Sequence, residues 1–150
     1  MKKLALFIIL IAILTSCGSS PAQPTASVSE PVLKIIVGDN EQDFTVKDLQ
    51  ALPSAVSSFN GVDYMGVSVN VLLKEAGVNL NEVSAIKGVA TDGYSVNYET
   101  AQLLPDDVLV AYSKADGSSL ASDEGTFRMV LPDQEGKLNL RLLYKLVIVP

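Results

Sequence analysis

Histidine and tryptophan are absent from this chain, and cysteine occurs once, at position 17. Those gaps settle much of the chemistry in advance. No disulfide can close within the domain, zinc lacks the thiolates and imidazoles it ordinarily takes, and no Cys or His downstream of residue 17 offers a nucleophile or general base. Positive charge is scarce as well. Against 17 Asp and Glu stand 11 Lys and Arg, which argues against nucleic acid, or anionic lipid engaged through bulk charge, as a partner. Only one long apolar run exists, Leu4 to Leu14, and its 11 residues fall short of the roughly twenty that a bilayer helix needs.

That run is preceded by Lys2 and Lys3 and closed by Leu14-Thr15-Ser16-Cys17. A basic n-region, a short h-region and small residues at the cut make a secretory leader over residues 1–16. The tetrapeptide resembles a lipobox of bacterial lipoproteins, which implies that Cys17 is the lipidated residue of the mature chain. Two or three acyl chains at about 0.8 kcal/mol per buried CH2 would anchor it firmly to a membrane. The expected location is the extracytoplasmic face of the cell membrane, or the outer membrane facing the periplasm in a two-membrane cell. An ordinary secretory cut, or retention of the run as an uncleaved anchor, are the competing readings. Without Lys2 and Lys3 the mature chain keeps 9 basic against 17 acidic residues, a net charge of −8.

Residues 17–31 then form the lipidated cysteine and a linker. From Gly18 the chain runs GSSPAQPTASVSEP, small, polar and proline-rich, unable to bury enough area to fold. As a flexible tether it spans on the order of 20 Å.

Residues 32–150 hold enough Val, Leu and Ile for one core and are too few for two. Val32 to Val37 predicts a strand ended by the turn Gly38-Asp39-Asn40. Thr45 and Asp48 have capping-box spacing for a short helix that Pro53 stops. Ala55 to Phe59 and Val62 to Met65 flank Asn60-Gly61, a strong hairpin signal because both residues tolerate positive φ. Val67 to Ala76 has helical apolar spacing, with Gly77 as its stop. Further strands are predicted at Ile86–Ala90, Tyr94–Tyr98, Val108–Tyr112, Phe127–Leu131 and Leu142–Val149, with a short helix ending at Gln102–Leu104 before Pro105. Strands outnumber helices and no βαβ rhythm appears. The expected class is α+β, β-rich with mixed or antiparallel sheets and two or three short helices.

Six pieces of this region then resemble one family in order. They are Tyr64-x-Gly66-Val67-x-Val69-x-x-Leu72-Leu73-x-x-Ala76-Gly77-Val78, Asp92-Gly93-Tyr94, Asp107 to Tyr112, Asp116-Gly117-x-x-Leu120, Gly125-x-Phe127-Arg128-Met129-Val130-Leu131-Pro132, and Lys145-x-Val147-Ile148-Val149. The family is the oxidoreductase molybdopterin-binding domain with its sulfite-oxidase-like fold, and the resemblance covers residues 32–150. In catalytic members a cysteine ahead of the Gly-Val helix ligates molybdenum. Here that place holds the Asn60-Gly61 hairpin, with Ser57 and Ser58 nearby, and a serine hydroxyl is a poor ligand for a soft metal centre. No cofactor is therefore expected, with molybdopterin as the alternative.

The resemblance places the Asn60-Gly61 hairpin, the Asp92-Gly93-Tyr94 turn and Arg128 around one face. Asn60, Asp92, Tyr94 and Arg128 are thus the candidate ligand-binding residues, with no catalytic residue and no metal ligand assigned. Tyr94 offers a ring and a hydroxyl, and Arg128 a fork of donors for a carboxylate or phosphate. The competing reading of Arg128 is a structural pair with Asp123 or Glu124. Arg141 aligns loosely with a lysine that precedes the last strand in the family. Asp106-Asp107 and Asp123-Glu124 read as solvated turn acids rather than a calcium site. Three functions stay open: a non-catalytic envelope module that binds a small ligand or protein partner, a molybdopterin-dependent oxidoreductase or accessory redox subunit, and a structural or assembly lipoprotein.

Overall fold

A computed structural model describes residues 30–149, the side chain of Leu80 excepted. The leader 1–16, Cys17 and most of the 17–31 linker lie outside the described residues. Among the described residues no helix is long and apolar enough to cross a membrane.

The described residues make nine strands and three short α-helices: β1 (Val32–Val37), β2 (Asn40–Thr45), α1 (Val46–Gln50), β3 (Ser54–Phe59), β4 (Val62–Ser68), α2 (Val69–Glu75), β5 (Ala85–Ala90), β6 (Ser95–Glu99), α3 (Thr100–Leu103), β7 (Leu109–Lys114), β8 (Arg128–Val130) and β9 (Leu143–Val149). One sheet has the order β2-β1-β9-β5-β6 and the other β3-β4-β7-β8. The first is mixed, because β1 runs parallel to β9 while its other pairs are antiparallel. The α+β, β-rich reading of the sequence is the architecture observed.

Local chemistry accounts for the connections. Asn60 and Gly61 both have positive φ, 51° and 76°, so the β3–β4 turn has the twist that a two-residue hairpin needs. Thr45 and Asp48 close a complete capping box at the start of α1, satisfying amides that a helix N-terminus leaves open. Gly66 is required for a different reason. A Cβ there would lie 2.2 Å from the Val110 carbonyl oxygen on β7, where β4 shifts register between Met65 and Gly66.

Two features depart from the sequence reading. The helical spacing from Val67 is partly overridden: β4 continues through Ser68, pairing Val67 with Val110 and Ser68 with Leu109, and α2 begins only at Val69. The sheet wins there because Val67 is fully buried on it. The stretch after the first turn is a strand, β2, that went unforeseen because Asn40 to Asp43 are polar and exposed. It buries only Phe44 and lies at the sheet edge, where Lys34 of β1 bonds both Glu41 and Asp43.

The main core lies between the inner faces of the two sheets and α1 and α2, with Leu33, Ile35, Leu49, Leu72, Ile86, Met129 and Leu146 all fully excluded from water. A second, smaller cluster of Tyr64, Leu109, Ala111 and Val130 lies on the four-stranded sheet, with Phe59, Val62 and Leu120 packed against it. The candidate site is built at the edge of this smaller cluster.

Candidate functional site

The segment from β7 to β8 is fixed at its end by a buried polar triad. Tyr64 on β4 donates its hydroxyl to Glu124 Oε1 at 2.7 Å, and Arg128 at the start of β8 donates to that hydroxyl at 2.8 Å and to the same carboxylate. The second Glu124 oxygen accepts the Ala121 amide at 2.9 Å. Arg128 and Glu124 are 4% and 7% exposed. The guanidinium also sits 4.5 Å from the Tyr64 ring centre and 5.8 Å from that of Phe59, stacking that the planar arginine head favours. Burial alone would raise the Glu124 carboxyl, yet the Ala121 amide, the Tyr64 hydroxyl and Arg128 together hold it below the ordinary carboxylate range. Tyr64 is pushed up by burial and by its bond to Glu124.

Above the triad lies a cleft of about 330 Å³ that Asn60, Tyr64, Glu124 and Arg128 help to line. A second cleft, of about 370 Å³, is lined by Asp92, Tyr94 and Lys137, and the two share Asp123, Gly136, Asn139 and Arg141 as walls. The shared wall is an exposed ion pair, Arg141 to Asp123 at 2.6 Å, with both side chains more than half exposed. Asn139 underneath is rigid: its side chain accepts from the Leu131 amide at 2.7 Å and donates to the Leu131 carbonyl at 3.1 Å. Lys137 is raised by its bond to Glu135, with a smaller contribution from Tyr94.

The four sequence candidates therefore divide between two adjoining clefts. Asn60 and Arg128 line the first, and Asp92 and Tyr94 line the second. Asn60 makes the hairpin turn, and the Asp92 carboxylate accepts the Tyr94 amide at 2.9 Å, an Asx turn that presents the half-exposed tyrosine. Arg128 pairs with Glu124, one of the two partners weighed from sequence, and Asp123 pairs with Arg141 instead. Tyr64, Lys137 and Asn139 had no assigned role, and Arg141 only a loose alignment. Asn139 and Arg141 lie in a loop whose shape no periodicity foretells. Among the described residues no group of three or more acids forms a metal cage.

The two arginines differ in what they can give to a ligand. Exposed pairs such as Arg141–Asp123 contribute about 0–1 kcal/mol, so an incoming anion displaces Asp123 at little cost. Stripping Glu124 from buried Arg128 costs about 3–5 kcal/mol. Arg141 is the exchangeable cation, and Arg128 is committed to the fold.

Comparison with known proteins adds family and fold. The description "oxidoreductase molybdopterin binding domain" matches residues 33–150. The fold is similar to the crystal structure of the sulfane dehydrogenase SoxCD from Paracoccus pantotrophus, with a TM-score of 0.66 and 22% identity over 79% of this chain. This chain spans 38% of the length of that one. No curated protein sequence matches it.

Proposed function

The chain belongs to the oxidoreductase molybdopterin-binding domain family, and from the donors around its cleft we propose that it is a ligand-binding module of that family, held at a membrane, rather than a molybdenum enzyme. The observation that carries this reading is the buried Arg128–Glu124–Tyr64 triad, which leaves the innermost cation of the cleft already neutralised from within the chain. The residues present do not fit a molybdenum centre. A soft metal held by dithiolene sulfur favours a thiolate, and the only cysteine is Cys17, upstream of the domain. Neither nearby serine substitutes for it, because a serine hydroxyl is a hard and weakly acidic donor, and Ser58 already donates to Asp63.

What the clefts do offer is a half-exposed tyrosine ring beside Lys137 and an arginine held only by a surface pair. An anionic head on Arg141 and Lys137 with a flat or apolar body against Tyr94 matches those groups. A small carboxylate or phosphate ester is the proposed ligand class. The lipobox-like Leu14–Cys17 stretch supports attachment through Cys17.

A panel of small carboxylates and phosphate esters, screened by thermal shift, tests the binding reading. At least one should raise the melting temperature of the parent protein, and Tyr94→Ala and Arg141→Met should each remove that shift while staying folded. A shift that survives both substitutions overturns the site. Elemental mass spectrometry on protein from a molybdenum-replete host tests the other half, with near one metal per chain restoring the oxidoreductase reading.

A further inference from the structure

Two non-glycine residues among those described hold positive φ, Asn60 at 51° and Leu142 at 54°. Asn60 serves the β3–β4 hairpin. Leu142 is in no such turn, and a bulky side chain persists in the left-handed region only where its surroundings over-determine the backbone, as they do around sites that hold a ligand. Its place in the chain fits that pattern. Leu142 follows Arg141 directly and lines the cleft of Tyr94 and Lys137.

Three other segments fix it. The Leu142 amide donates to the Glu124 carbonyl at 2.7 Å, its carbonyl accepts the Thr91 amide at 2.9 Å, and the following Leu143 amide donates to the Phe127 carbonyl at 2.9 Å. Gly125 leaves the room for this crossing. A Cβ there would stand 2.9 Å from the Leu142 Cα and 3.1 Å from its Cδ2. The segment that carries Glu124, the turn that leads to Tyr94 and the arginine of the shared wall therefore meet at one residue.

In extended backbone, residues two apart face the same side, which would carry Arg141 toward the side on which Leu143 is buried at 2% exposure. The left-handed residue between them breaks that alternation. Leu143 enters the core as the first residue of β9, while Arg141 stays outside over Asp123 with its side chain more than half exposed. We propose that Leu142 is the positioning residue of this cleft, its left-handed backbone aiming the Arg141 guanidinium at the anion that binds beside Tyr94 and Lys137. This role rests on the ligand-binding reading above.

Phenyl phosphate, an anionic head on a flat ring, is the probe, titrated into the full chain in detergent and followed by NMR. β-Branched valine is among the side chains least suited to the left-handed region, and asparagine among the best. Leu142→Val keeps an apolar side chain but opposes the conformation, and Leu142→Asn does the reverse. Valine should weaken binding by roughly tenfold through lost preorganisation, and the asparagine variant should bind more tightly than the valine one. A role in packing alone gives the opposite order. Gly125→Ala, which presses on Leu142 and changes no group lining either cleft, should behave as valine does; should Leu142→Val fail to fold, Gly125→Ala set against Leu142→Asn decides the same order. In the unliganded chain, nuclear Overhauser contacts between the Arg141 and Asp123 side chains should persist with asparagine and vanish with valine and with Gly125→Ala. A parent that binds no phenyl phosphate sinks the ligand reading for this probe, and those contacts still judge the positioning. Equal affinities across the variants, the packing order, or contacts that survive every variant overturn the positioning role.

Discussion

Replacing Arg128 by methionine tests whether this arginine belongs to the fold or to a ligand. The substitution keeps an apolar stem of similar length and removes the cation between the Tyr64 and Phe59 rings. Glu124 would then be left buried, at 7% exposure, with only the Tyr64 hydroxyl and the Ala121 amide as donors. A buried charge stripped of its partner costs about 3–5 kcal/mol. Because two donors remain, the lower end of about 3 kcal/mol applies, and the lost ring stacking adds about 1 kcal/mol. A domain of this size has about 5–15 kcal/mol in total, so the variant should stay folded in dilute buffer. Its melting temperature should fall by roughly 12–20 °C.

Urea unfolding followed by circular dichroism measures the loss, and a double-mutant cycle with Glu124→Gln assigns it. Each single variant leaves one charge or one fork unmatched, whereas the double variant removes both charges together. It should therefore cost about 2 kcal/mol less than the sum of the two singles. If Arg128→Met costs under about 1 kcal/mol, or if the double variant costs the full sum, the triad is not the structural lock described above. Arg128 would then return as a ligand-binding candidate.

The same triad makes stability depend on acid. Glu124 is held below its ordinary value of 4.5 in the folded state, so its contribution is fully present above that value and is lost as pH falls through the lowered one; urea midpoints from neutrality downward should drop more steeply for the parent than for Glu124→Gln. Gly66→Ala would drive a methyl into the Val110 carbonyl and should cost about 3 kcal/mol by the same urea assay. Cys17→Ser should leave an unprocessed precursor that no longer carries acyl chains, visible as a mass difference by intact-protein mass spectrometry; normal cleavage in that variant would refute lipidation at Cys17.

Much of the fold was readable because its signals are local. Asn60-Gly61, the Thr45–Asp48 capping box and the β-branched run Val32–Val37 each state their structure within a few residues. β2 was hidden because an edge strand that buries only Phe44 has no apolar rhythm to show. The start of α2 was misplaced because Val67 suits a helical stripe and a buried strand equally well, and only the pairing with Val110 decides between them.

The site is less legible, and the reason is distance along the chain. Glu124 and Arg128 are four apart, close enough that a pair was conceivable from sequence, but Tyr64, which bonds both, lies 60 and 64 positions away. Nothing in a sequence shows that a tyrosine on one hairpin will desolvate an ion pair on another, and that desolvation separates the two arginines. Arg128 and Arg141 each sit near an acidic neighbour, Glu124 or Asp123. Burial converts the first pair into a fixed strut, while exposure leaves the second as a bond that a ligand can replace. The choice of Arg128 as a ligand donor followed from residue type and family register, both of which ignore that difference. The chemical capacity of this cleft is set by which of its cations is still free to change partners, and the exposed pair with Asp123 leaves Arg141 free to do so.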